Sequence, residues 1–333
     1  MSLSRILIMA GLVLGWPAST VLAGPISKIV VFGDSLSDTG NALFFAGTGP
    51  GSFYDPLTGL FPTPPYFEGR HSNGPVYVEY LAAELGLSAP APFPPSVTNP
   101  LGGTNYAFGG AETGSGSSST FGVPNIGQQI GIFQAGGNTF SGDELIVVYG
   151  GANDFQFGGQ TDPSVPVANL HAALLQLAGL GGRNFLVPNL PPLGLTPFAR
   201  ANGLEAQLNA LTAAFNGQLD ATMDQLEASS PSLRIARLDV FGLTLQGIAN
   251  PWAFGLTNVT DPAFNRATRT VVPNPDEYFF WDEVHPTTAA HQVLGRAAAT
   301  AVVPEPSSLA LSLIGLGVIG LFSYARGRRV HAP

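Results

Sequence analysis

Ile29-Val30-Val31-Phe32-Gly33-Asp34-Ser35-Leu36-Ser37-Asp38-Thr39-Gly40-Asn41 runs an apolar stretch straight into a polar turn. Its first four residues are β-branched or aromatic and do not alternate with polar ones. That is the pattern of a strand buried on both faces, and Gly33 ends it. Ser35 therefore falls on a turn at a strand's carboxyl end, the edge of an open α/β sheet where ligands bind. Leu145 to Tyr149, Phe185 to Val187 and Leu233 to Leu238 read as further strands, and Ala168 to Leu180 and Glu205 to Ala228 as the helices between them. Val76 to Leu87 also has a helical period, with Val76, Tyr80, Leu81 and Leu85 on one face. The alternation predicts an α/β fold with a central parallel sheet covered by helices, and no repeat or linker divides it.

A serine hydroxyl is protonated at neutral pH and attacks esters poorly. It needs an imidazole to take its proton and a carboxylate to orient that imidazole. Trp281-Asp282-Glu283-Val284-His285-Pro286 supplies both groups on one turn, with Asp at i and His at i+3, and Pro286 suits the start of a helix. Each residue also has a plainer reading. Ser35 could be a turn or cap residue, His285 a helix cap, and Asn153 and Asp154 turn formers after Leu145–Tyr149. Only five histidines exist, His331 lies in the tail, and His71, His171 and His291 suit surface or hydrogen-bonding roles.

Taken together, the blocks resemble the GDSL lipase/esterase family of the SGNH hydrolase superfamily. Four blocks occur in that family's order: Gly33-Asp34-Ser35-Leu36 with its extension to Asn41, Gly103 to Ala111, Gly151-Ala152-Asn153-Asp154, and Asp282 to His285. Gly69-Arg70-His71-Ser72-Asn73-Gly74-Pro75-Val76 is similar to a segment many members carry between the first two. The resemblance implies a three-layer α/β/α sandwich of flavodoxin-like SGNH type. It implies Ser35 as nucleophile, His285 as base and Asp282 as its orienter. It also implies an oxyanion hole from the backbone N–H of Ser35, the backbone N–H of Gly110 and the side-chain amide of Asn153. Gly109 is the neighbouring alternative to Gly110.

The 333 residues include no cysteine, and their formal charge is −9. Arg5 and the apolar run Ile6 to Leu14, followed by Val21-Leu22-Ala23, read as a secretory signal over residues 1–23. Val303-Pro304-Glu305-Pro306 precedes nineteen uncharged residues from Ser307 to Ala325, and Arg326, Arg328 and Arg329 follow. Such a helix reaches about 28 Å, enough for a bilayer core. The order resembles the PEP-CTERM sorting signal of Gram-negative bacteria, which implies recognition by an exosortase-type enzyme and membrane attachment through the C-terminal helix before processing; a plain membrane anchor is the alternative. The hydrolase domain then spans residues 24–302 and the sorting segment 303–333. The expected location is the periplasm, outer surface or extracellular matrix.

Without both ends the chain keeps 21 acids and 9 bases, a formal −12, and such a surface repels nucleic acid. Lys28 is the only lysine, which removes phosphate-loop and Ser-Lys chemistry, and no His-Glu-x-x-His occurs. No metal or organic cofactor is required. Gly114 to Thr120 reads as a mobile connector. Phe44, Phe45, Phe53, Tyr54, Phe61, Tyr66 and Phe67 either line an acyl pocket or make a core within the loops.

The expected activity is hydrolysis of carboxylic esters, whether lipid, short-chain ester or acylated glycan, through an acyl-enzyme. Acyl transfer to, or O-deacetylation of, an extracellular polysaccharide is the alternative within enzymology. A non-catalytic glycan-binding surface protein is the alternative outside it.

Overall fold

The computed structural model describes residues 25–43, 64–94 and 102–303. The expected signal (1–23), the sorting helix and the aromatics Phe44, Phe45, Phe53, Tyr54 and Phe61 lie outside the described residues. No helix among the described residues is long and apolar enough to cross a membrane. A compact unit of the chain ends at Val302.

Four strands form one parallel sheet in the order β1 (Ile29–Gly33), β2 (Leu145–Tyr149), β3 (Asn184–Pro188), β4 (Arg234–Leu238). Every residue of β1, β2 and β3 is buried, as continuous apolar runs require when helices cover both faces. The register pairs Gly33 with Tyr149 and Pro188 with Leu238, so these strand ends fall on one edge of the sheet. The segment around Asn105 flanks β1 on its other side, where the Val31 N–H donates to the Thr104 carbonyl and the Tyr106 N–H to the Val31 carbonyl. β4 is half-exposed, and its Arg237 is paired with Asp220, Asp224 and Glu227, charges that guard an open edge.

The helices form two packed groups. One contains α1 (Tyr77–Glu84) and the C-terminal α8 (Thr288–Val302). The other contains α2 (Ile126–Ala135), α4 (Ser164–Gly179) and α6 (Glu205–Ser229). Short α3 (Ala152–Gln156) follows β2, α5 (Pro197–Asn202) precedes α6, and α7 (Val240–Ala249) follows β4. Leu208, Thr212, Phe215, Leu219, Met223 and Leu226 are the buried stripe of α6, spaced for one helical face. The expected elements are present with boundaries shifted by a few residues, α4 beginning at Ser164 instead of Ala168.

Gly114 to Thr120 is pinned, contrary to the mobile connector its composition suggests. Glu112 Oε1 accepts from the Ser119 amide and hydroxyl at 2.8 and 2.6 Å, and the Gly116 carbonyl accepts from Asn125 N–H at 2.9 Å. Partners outside the segment, an acceptor in Glu112 and a donor in Asn125, hold it, and its own composition carries no trace of them.

Candidate active site

The nucleophile turn is built by its carboxylates. The Asp38 carboxylate accepts the N–H groups of Gly40, Asn41 and Ala42, and also that of Gly109, 71 residues along the chain. Asn41 donates its amide to the carbonyls of Asn105 and Ala107, while Asn105 donates to the Ser37 carbonyl and the Thr39 hydroxyl. These reciprocal bonds join the first and second motif blocks. Gln129 of α2 completes the end of β1, accepting from the Gly33 N–H at 2.9 Å and donating to its carbonyl at 2.8 Å. Asp154 of the third block accepts from the hydroxyl and N–H of Thr113, two residues past the second block.

Ser35, His285 and Asp282 are brought together. His285 Nε2 lies 2.8 Å from Ser35 Oγ, and His285 Nδ1 lies 2.7 Å from Asp282 Oδ2. Asp282 Oδ1 accepts the N–H groups of Val284 and His285 at 2.9 and 2.8 Å, which closes the turn. The segment from Gly69 to Val76 staples this loop in place. Ser72 Oγ donates to the Pro286 carbonyl, Asn73 Oδ1 accepts the Thr288 N–H, and the Thr288 hydroxyl donates to the Pro75 carbonyl.

Two groups that carry no motif signal also reach Asp282. The Tyr66 hydroxyl donates to Oδ2 at 2.7 Å, and Arg266 Nη2 lies 2.9 Å from the same oxygen. Arg266 Nε is 2.6 Å from Glu283 Oε2, which holds the guanidinium between two neighbouring carboxylates. Asp282 is fully buried, and burial alone would raise its carboxyl. The charges of His285 and Arg266, with the hydrogen bonds from His285 and Val284, hold it well below the usual carboxylate range.

Other carboxyls near the nucleophile move the opposite way. Burial pushes Asp34 up to about 7, offset only in part by its bond from the Leu36 N–H and by the charge of His285. Burial likewise raises Asp38 and Asp154 to about 6. Hydrogen bonds from neutral donors reduce the cost of burying these charges without cancelling it.

Neither His71 nor His291 is at the surface. His71 is buried, its ring centroid 4.9 Å from that of His285, and burial holds its pKa well below the ordinary histidine value. It also explains the glycine at 109, because a Cβ there would lie 2.1 Å from His71 Nε2. His291 is buried too, accepts the Tyr77 N–H, and is lowered to about 3 by burial first and the charge of His285 second. Burial keeps both rings neutral at physiological pH, since charging either would mean desolvating a cation.

Among the expected donor groups, Asn153 lines the same cleft as Ser35 and His285, and donates one amide hydrogen to the Ala111 carbonyl at 2.8 Å. Gly110 lies in the adjoining turn with φ +82°, where a Cβ would meet the Phe121 ring at 2.6 Å. The Gly109 N–H is spent on Asp38, whereas the Gly110 and Ser35 N–H groups meet no acceptor among the described residues. Gly110 does not itself line the cleft. No group of His, Asp or Glu among the described residues could hold a metal ion.

Tyr66 does not line the cleft and belongs to a core within the loops, the other of its two expected roles. It packs edge-on against Phe264 and Trp281 beneath the base loop, a small core separate from the main one. Sequence did not single out Gln129 or Arg266, and named Tyr66 and His71 without these partners, because each contact joins segments distant in the chain and isolated residues of these types have ordinary core and surface roles.

The family model of GDSL-like lipase/acylhydrolase matches residues 29–298, and the PEP-CTERM protein-sorting motif matches residues 302–329. Phosphatidylcholine-sterol acyltransferase of Aeromonas hydrophila is 27% identical over 354 residues, covering 89% of this chain and 97% of that protein. A GDSL esterase/lipase of Arabidopsis thaliana is 26% identical over 323 residues, covering 80% of this chain and 86% of its own. A solved carbohydrate acetylesterase from Sinorhizobium meliloti aligns with TM-score 0.44 and 13% identity over 87% of this chain and 99% of that one, too distant to argue from.

Proposed function

We propose that this chain, which belongs to the GDSL-like lipase/acylhydrolase family, is an exported serine esterase that cleaves carboxylic esters through an acyl-enzyme on Ser35. The observation that carries this reading is the hydrogen-bonded series Ser35 Oγ, His285 Nε2, His285 Nδ1, Asp282 Oδ2, with contacts of 2.8 and 2.7 Å. Ser35 Oγ attacks the carbonyl carbon as its proton passes to His285 Nε2, and Asp282 stabilises the imidazolium so formed. The carbonyl oxygen takes the negative charge. The Ser35 N–H, the Gly110 N–H and the Asn153 amide donate to it, each such donor contributing about 3 kcal/mol to transition-state stabilisation.

Collapse of the tetrahedral intermediate breaks the ester C–O bond, and His285 returns the proton to the departing alkoxide. Water then enters, gives its proton to His285 and attacks the acyl carbon, releasing the acid and restoring Ser35. The sorting motif over residues 302–329 supports export in a Gram-negative bacterium and an exosortase-type partner. The domain division proposed with it is a signal over 1–23, the hydrolase domain over 24–302 and the sorting segment over 303–333.

Hydrolysis of p-nitrophenyl esters by the full chain and its Ser35→Ala variant tests the reading. Loss of at least about 10⁴-fold in kcat with the fold intact supports it. Equal turnover by both proteins overturns it.

Acyl transfer is a second reading, favoured by similarity to a protein that is itself an acyltransferase. An alcohol or glycan acceptor could replace water in the second half of the reaction. Ester product formed from an added acceptor, quantified against free acid, separates the two.

A further inference from the structure

Residues of α7 and α8 line a mostly apolar channel together with Ser35, His285 and Asn153. Its cavity volume is about 100 Å³. One wall is a stripe of α7, Val240, Leu243, Thr244 and Gly247, spaced for a single helical face. The facing wall is Ala289, Ala290 and Val293 of α8, and Phe254, Leu256 and Phe279 complete the lining. Small side chains of both helices are in the lining: Thr244 and Gly247 of α7, Ala289 and Ala290 of α8. Its polar lining is Asp34, Ser35, Asn153, Gln156, Thr196 and His285, besides Thr244.

We propose that this channel binds the acyl chain of the substrate, that the preferred substrates are esters of medium-length fatty acids, and that Gly247 and Thr244 set how far the chain reaches. The inference rests on the ester-cleaving reading of Ser35 and deepens it. The occupant follows from what the channel adjoins. An acyl group attached to Ser35 Oγ extends into whatever apolar space lies beside that oxygen, and a sugar or charged headgroup would leave its hydroxyls or charge unpaired there.

From Val240 to Gly247 the α7 wall measures about 10 Å, far longer than an acetyl group and suited to a chain of medium length. An acetyl ester would leave most of the wall in contact with water. Each added methylene removes apolar surface from water on both partners, which raises kcat/KM by about fourfold per carbon until the channel is full.

Gly247 is the natural position at which to shorten the channel. A Cβ built on it meets only the Phe279 ring, at 3.7 and 4.0 Å, ordinary contact distances. Gly247→Ala is therefore accommodated, and a leucine there sends its remaining carbons into the channel. Thr244→Leu, one turn earlier on the same stripe, makes an independent obstruction.

The experiment measures kcat/KM of the full chain on p-nitrophenyl esters from acetate to palmitate, for the parent, Ser35→Ala, Gly247→Leu and Thr244→Leu. The expected result is a parent optimum between hexanoate and decanoate, with acetate at least about thirtyfold poorer. In Gly247→Leu the decanoate-to-acetate ratio of kcat/KM falls at least about tenfold and the optimum moves to shorter chains. Should that variant not fold, the same shift is read in Thr244→Leu. A folded parent that prefers acetate overturns the inference while leaving the esterase reading standing. A medium-chain optimum unmoved in the obstructed variants overturns the assignment of the channel. Turnover of no ester by the folded parent, or equal turnover by Ser35→Ala, fails the underlying reading instead.

Discussion

Asp38 in the nucleophile turn and Asp282 in the base loop are both fully buried, and both accept several hydrogen bonds, yet their acidities diverge. Asp38 accepts four backbone N–H groups and still rises to about 6. Asp282 accepts from two backbone N–H groups and from Tyr66, and faces His285 and Arg266. It lies well below the normal range. The number of neutral donors does not decide the difference. A cation in contact repays the cost of burying a carboxylate more fully than neutral dipoles do. The first region organises backbone, and the second holds a charge beside an imidazole.

The largest effect is expected where the second region loses its charge. Asp282→Asn keeps the shape but cannot stabilise an imidazolium, and kcat on a p-nitrophenyl ester is expected to fall about 10⁴-fold. A fall of less than tenfold, with the fold intact by circular dichroism, would equate the two carboxylates and break the comparison.

Next comes the dependence of stability on pH. Below the unfolded value near 3.8, folded and unfolded chains both hold the Asp34 proton. Between there and about 7 the folded chain keeps a proton that the unfolded chain has lost, so Asp34 makes stability fall as pH rises through this window, by up to about 4 kcal/mol. Asp38 and Asp154 act in the same direction up to about 6. Asp282, depressed when folded, acts in reverse, and its contribution is lost as pH drops below the unfolded value. Urea midpoints from pH 4 to 8 for the parent and Asp34→Asn check this, and the variant should show the flatter profile.

Asp38→Ala removes the acceptor of four N–H groups at once and is expected to cost about 3 kcal/mol of folding stability. Chemical denaturation measures it directly. The smallest effect is expected from Arg266→Gln, which makes the environment of Asp282 more like that of Asp38. The Asp282 carboxyl then rises, and acid unfolding begins at higher pH, with about 1 to 2 kcal/mol less stability near pH 4. Arg266→Lys restores the cation and is expected to recover most of the loss, which sharpens the comparison by separating charge from shape.

Local signals made the nucleophile strand and the order of the blocks legible. Ile29 to Phe32 has no polar residue to place in water, and Gly33 breaks the run. Asp282 and His285 lie three residues apart, so one turn settles their pairing. The buried positions of His71 and His291 were not legible, because a histidine's surroundings come from other elements. The apolar cleft beside Ser35 was not legible either. Its lining draws small and larger apolar residues from α7 and α8, more than forty positions apart, and neither kind signals the space left between helices. The aromatics after the nucleophile drew attention by their size, yet Tyr66 turned out to brace Asp282 from a separate small core.

The amino-acid order by itself determined the parallel α/β architecture, the turn bearing Ser35 and the one-turn pairing of Asp282 with His285, because each depends on side-chain period or on neighbours within a few residues. The tertiary structure alone decided that Arg266 and Tyr66 meet at Asp282, that Asp38 serves the amide of Gly109, and that Ser35 lines a mostly apolar channel. These depend on distance and exclusion of water between segments that the chain keeps far apart. Electrostatic strength and empty volume are properties of that arrangement, not of any residue in it.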